Sequence, residues 1–82
     1  MTSEQVLAKV RENIADFFSV DLNSLAASTT AEEVPGWDSF AHVNLVLQLE
    51  SDFDVRFSST EIAAAKNIGE LAEKIRSKIA TH

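Results

Sequence analysis

The chain has 82 residues, no cysteine, a formal net charge of −6 and 45% hydrophobic residues. That length sets a single domain, read as residues 1–82, in which folding buries only roughly 60% of the unfolded chain's surface. The lack of cysteine excludes a disulfide framework and a thiolate metal site, and the acidity argues against nucleic acid, whose phosphates need clustered Lys and Arg.

The first predicted helix runs from about Ser3 to Phe18. Val6, Leu7, Val10, Ile14, Phe17 and Phe18 recur on it at helical spacing, and Thr2 with Gln5 has the pattern of a capping box. A long connection follows, from Ser19 to Trp37. It ends in Val34-Pro35-Gly36, where Pro and Gly stop any regular element. Leu22 and Leu25 are expected to pin it to the core. The second helix starts at Asp38 or Ser39 and reaches about Phe53, with Asp38 placed as N-cap. Ser58 to Glu61 has capping-box spacing ahead of a short third helix over Ile62 to Ala65. The fourth opens at Asn67 and buries Ile68, Leu71, Ile75 and Ile79. No segment alternates as a strand. The expectation is an all-α fold, a small four-helix bundle with three longer helices and a long loop between the first two.

No apolar run approaches membrane-span length, and Met1 to Lys9 has no apolar h-region. A monomeric cytoplasmic protein without a membrane span is expected. The charge is uneven. From Glu12 to Val55 there is no Lys or Arg. Such a stretch has two readings, a field that steers a basic partner or plain solubility.

The second helix is the informative element. Placed at 100° steps, Leu45, Val46, Leu49 and Phe53 fall on one arc. Phe40, Val43 and Leu47 fall on a second, with Ser39 and Glu50 between them. The first arc is enough to bury the helix. The second is either a docking surface for another protein or a face covered by neighbouring helices.

Gly36-Trp37-Asp38-Ser39-Phe40, followed by Val43, Leu45, Val46, Leu49 and Phe53, resembles the acyl carrier protein family. That family has an Asp-Ser-Leu motif at the start of its second helix. The resemblance covers essentially the whole chain, including Asn67-Ile68-Gly69-Glu70 at the last helix. It implies that 4′-phosphopantetheine, delivered from coenzyme A by a phosphopantetheinyl transferase, is attached to Ser39, with Asp38 as its motif neighbour. It implies a carrier and not an enzyme. Acyl groups would be held as thioesters and exchanged with acyl-activating or acyl-transferring enzymes, which contact Phe40, Val43, Leu47, Glu50 and Ile62.

Departures from the family pattern bear on the pathway. Phe40 stands where Leu is usual, and Trp37 where a small or acidic residue is usual. Ala41, Asn44 and Ser51 occupy positions often acidic in fatty-acid members. These point to a specialised fatty-acid or polyketide-like pathway. Trp37 itself is read as capping the loop onto the core.

Other readings remain on the residues alone. A peptidyl or aminoacyl carrier shares the fold but usually shows Gly-Gly-x-Ser, absent here. A non-carrier helical interaction module is the alternative of a different class. Asp38, Ser39 and His42 suggest a hydrolase only superficially, since no Gly-x-Ser-x-Gly elbow is present. Ser51 to Asp54 lacks the Gly and terminal Glu of a calcium loop, so no metal is expected.

Overall fold

The computed structural model describes residues 2–58, 60–61, 65 and 67–80. Among these are three α-helices and no strand: α1 (Ser3–Phe18), α2 (Ser39–Phe53) and α3 (Ile68–Ala80). The all-α expectation holds. The short helix expected over Ile62 to Ala65 falls largely outside the described residues; Thr60 and Glu61 are helical and Ala65 is not. Its capping box is formed, since the Ser58 amide donates to Glu61 Oε1 and the Glu61 amide to Ser58 Oγ. Lys78 on α3 bonds the same Glu61 oxygen at 2.9 Å, and this hydrogen bond is the main reason the Glu61 carboxyl is held below the ordinary glutamate range.

The apolar stripes produce the core. Val6, Val10 and Ile14 of α1, Leu45, Val46 and Leu49 of α2, and Ile68 and Ile75 of α3 are almost completely buried. These branched side chains fall at helical spacings, three, four or seven residues apart, with Val46 adjoining Leu45, so each helix presents one apolar face inward. α1 packs chiefly against α3. Phe17 departs from its predicted stripe: it is 40% exposed and leans edge-on against Phe18. The helices start where predicted. Thr2 and Gln5 exchange side-chain and backbone bonds, and Asn67 Oδ1 accepts from the Glu70 amide at 2.8 Å. α1 and α2 end on left-handed residues, Ser19 (φ 55°) and Asp54 (φ 53°).

The connection between α1 and α2 is ordered by bonds to distant residues. It contains two 3-10 turns, Leu22–Ser24 and Ala31–Glu33. Leu25 is buried as expected, but Leu22 is 37% exposed. Leu22 contributes its carbonyl instead. The Arg11 guanidinium donates to the carbonyls of Leu25 at 2.9 Å and Leu22 at 3.0 Å. Further on, the carbonyls of Ala27 and Thr29 accept from the Gly69 and Ile68 amides at 2.8 and 3.0 Å. These are among the first amides of α3, which have no partner within the helix. Thr30 and Asn67 form an isolated antiparallel bridge at the same junction.

Gly69 suits this close approach, because a larger residue would crowd the loop. A Cβ there would lie 3.0 Å from the Ala27 carbonyl oxygen and 3.2 Å from Ala27 Cβ. Alanine favours a helix by about 1 kcal/mol over glycine, but overpacking of this kind costs typically about 1–3 kcal/mol. We expect Gly69→Ala to lower the unfolding free energy in urea despite its better propensity. An unchanged or raised midpoint would mean that loop and helix part without loss.

Candidate functional site

The start of α2 is assembled by a turn and a cap. The Trp37 amide donates to the Val34 carbonyl at 3.2 Å, closing a turn across Pro35 and Gly36. Gly36 has φ 89°, which suits the third position of a type II turn and explains the Pro-Gly pair. The chain then extends through Asp38, whose Oδ1 accepts from the Ala41 amide at 2.8 Å. Its carbonyl accepts from the His42 amide at 2.9 Å. Asp38 is therefore the N-cap, as read from the sequence.

Ser39 is the first residue of the helix and is exposed. Trp37, two residues earlier, is buried and belongs to the core. Its ring stacks on Phe18 with centroids 5.4 Å apart and on His42 at 5.8 Å. Its indole Nε1–H donates to His42 Nδ1 at 3.0 Å. Trp37 thus secures the loop to the core, the role expected of it. His42 Nδ1 accepts from Trp37 and Asp38 Oδ1 from the Ala41 amide, so both side chains are engaged in bonds that shape the helix start.

The two arcs of α2 separate as the wheel predicts. Leu45, Val46, Leu49 and Phe53 are buried, whereas Phe40 is 80% exposed, Val43 50% and Leu47 56%. No described helix covers the second arc. Its residues lie at i, i+3 and i+7, so they form one continuous strip that begins beside Ser39. Glu50, at the far end, is half-buried and has structural work: its Oε2 accepts from the Phe57 amide at 2.8 Å. Sequence reasoning missed that link, because residues seven apart across a helix end leave no periodic signal. Ile62 lies outside the described residues. An open groove of about 920 Å³ is lined by α1, α3 and the Ala27-Ser28 stretch of the connection, and touches no residue of α2. Among the described residues no cluster of His, Asp or Glu has the makings of a metal site.

A family model describing a phosphopantetheine attachment site matches residues 8–75. The acyl carrier protein of Lactobacillus acidophilus is 31% identical over 94% of this chain and 96% of its own. That of an Exiguobacterium species is 27% identical over 96% of this chain and the whole of its own. Among solved structures, holo acyl carrier protein from Geobacter metallireducens superposes with a TM-score of 0.83 at 30% identity, covering 93% of this chain and 87% of that one.

The cap is testable without reference to any of these. Replacing an N-cap Asp by Ala costs typically about 1 kcal/mol. We expect Asp38→Ala to lower stability by that amount and to speed hydrogen exchange at the Ala41 amide, while Asp38→Asn retains most of both. Equal exchange in the Ala variant would show that the cap does not hold the first turn.

Proposed function

The chain belongs to the acyl carrier protein family, and from that premise we propose that it holds acyl groups as thioesters on an arm attached at Ser39 and presents them to partner enzymes. The group is 4′-phosphopantetheine, bound covalently. The observation that carries the choice of residue is the exposed Ser39 at the head of a capped helix, beside an uncovered apolar strip.

The residues present suit the group. A phosphodiester on Ser39 Oγ would leave toward solvent from the N-terminal end of a 15-residue helix, where the helix dipole favours negative charge. The nearby Asp38 carboxylate is held on the Ala41 amide, which ties it to the backbone. When bound, the group supplies a terminal thiol, and no protein thiol competes with it because the chain has no cysteine. Ser39 provides the point of attachment. Asp38 fixes the turn that carries it. Phe40, Val43 and Leu47 offer the surface on which a phosphopantetheinyl transferase and acyl-activating or acyl-transferring enzymes bury their own apolar residues. Glu50 keeps the end of that surface in shape through Phe57, and Ile62, which lies outside the described residues, is proposed as a further partner contact. The protein acts as a carrier, with catalysis left to its partners.

The finer setting is a specialised fatty-acid or polyketide-like pathway. Ala41, Asn44 and Ser51 leave the strip less acidic than a fatty-acid synthesis partner would find it, and Phe40 gives it a bulky aromatic. The 82 residues are taken as one monomeric carrier domain of the cytoplasm. No described helix is long and apolar enough to cross a membrane.

Incubation with coenzyme A and broad-specificity transferases, followed by intact-mass measurement, tests the attachment. We expect wild type to gain one phosphopantetheine and Ser39→Ala to gain none. No gain on wild type with several transferases would overturn the carrier reading, and a gain on the Ala variant would move the site elsewhere. For docking, Val43→Asp or Leu47→Asp should lower turnover by a partner enzyme about tenfold or more, the scale of a lost interface anchor. Their circular dichroism should match wild type. Loss of fold instead would assign the strip to the core.

A further inference from the structure

Trp37 and His42 bracket the start of α2 in a specific way. Asp38 is the N-cap, so Trp37 holds the position before the cap and His42 the fourth helical position. Contact between these two positions is a hydrophobic staple, which fixes the angle at which the chain enters a helix. Aliphatic staples pack without direction. This one is made of an indole and an imidazole, stacked 21° from parallel and joined by the 3.0 Å bond from Trp37 Nε1–H to His42 Nδ1.

Two consequences follow from the bond. It fixes the His42 tautomer, since Nδ1 accepts only when it carries no proton. It also fixes the rotation of the first turn of α2 relative to the loop, which stacking alone leaves adjustable. The indole also stacks on Phe18, the last residue of α1. The staple therefore couples the head of α2 to the tail of α1. Ser39 lies within the short segment that the staple closes. A helix start without such a constraint frays, because its first amides lack partners in the helix.

We propose that His42 is a positioning residue for the modification of Ser39. By accepting the indole proton, it holds the first turn of α2 in the orientation that presents Ser39 Oγ to the transferase. The inference rests on attachment at Ser39. In that reaction a bond forms between Ser39 Oγ and the phosphorus nearer pantetheine in coenzyme A. The diphosphate P–O bond breaks, adenosine 3′,5′-bisphosphate leaves with the bridging oxygen, and the serine proton passes to the transferase or to water. His42 touches none of these atoms and acts only through the geometry of the turn.

The test compares three variants as transferase substrates, with kcat/KM read from intact mass and exchange of the Trp37 indole N–H read by NMR. His42→Phe keeps a ring for stacking but offers no acceptor. His42→Asn places an acceptor near the position of Nδ1, and His42→Gln places it near Nε2. Loss of one hydrogen bond in the productive geometry corresponds to about a tenfold effect. We expect kcat/KM to fall about tenfold for Phe and Gln, with folding by circular dichroism retained. Asn should stay within about threefold of wild type, as expected for a conserved hydrogen bond. Indole N–H exchange should be slow in wild type and Asn, and fast in Phe and Gln. If His42→Phe does not fold, the Asn and Gln pair decides. Equal kcat/KM for Asn and Gln, or a Phe variant modified as fast as wild type, overturns the inference while leaving attachment at Ser39 intact. Indole exchange unaffected by Phe overturns the hydrogen bond itself. A wild type that gains no mass overturns the attachment reading and this inference with it.

Discussion

The backbone of the connection between α1 and α2 must find hydrogen-bond partners, and the position of Ser39 depends on where it finds them. Residues 19–38 contain little regular structure, so their polar groups are not satisfied by a helix of their own. Arg11 takes two carbonyls, Leu22 and Leu25. The amides of Ile68 and Gly69 take two more, Thr29 and Ala27. Each bond satisfies both sides, because the α3 amides would otherwise lack an intrahelical partner. The loop is thereby anchored to α1 and α3 before it reaches the Pro-Gly turn, and Trp37 completes the attachment. α2 begins where these anchors leave the chain.

An anchored loop makes an uncovered helix face possible. Most of the stabilising burial lies on the inner arcs, so α2 can leave Phe40, Val43 and Leu47 in solvent without losing its place. Exposed apolar strips invite self-association. The net charge of −6 opposes it, since like-charged copies repel one another. The same acidity favours partners with basic surfaces.

The parts legible in the sequence are local. Helix periodicity gave the buried stripes, the Thr2 and Ser58 caps are read from residues three apart, and the Asp38 cap is read from a carboxylate placed at a helix start. The split of α2 into two arcs follows from the wheel, although the wheel alone leaves open whether the second arc is covered. The tethers were not legible. Arg11 finds carbonyls eleven and fourteen residues away, and Gly69 meets Ala27 across most of the fold. Such pairs depend on tertiary placement, and no spacing rule encodes them. Leu22 shows the limit: its apolar side chain suggested burial, whereas its backbone does the work. Ser39 as a residue type says only that a helix begins; the attachment role proposed for it comes from the family resemblance, and its exposed position beside the strip is compatible with that proposal.

Trp37 has one more consequence, for spectroscopy. It is the chain's single tryptophan, and there is no tyrosine. Emission from the intact protein therefore originates from one indole, two residues from Ser39 and stacked on both α1 and α2. The molecule carries its own optical probe at the junction of loop and helix. Any event that shifts that junction, whether loading, docking or unfolding, is written into the colour and lifetime of a single ring.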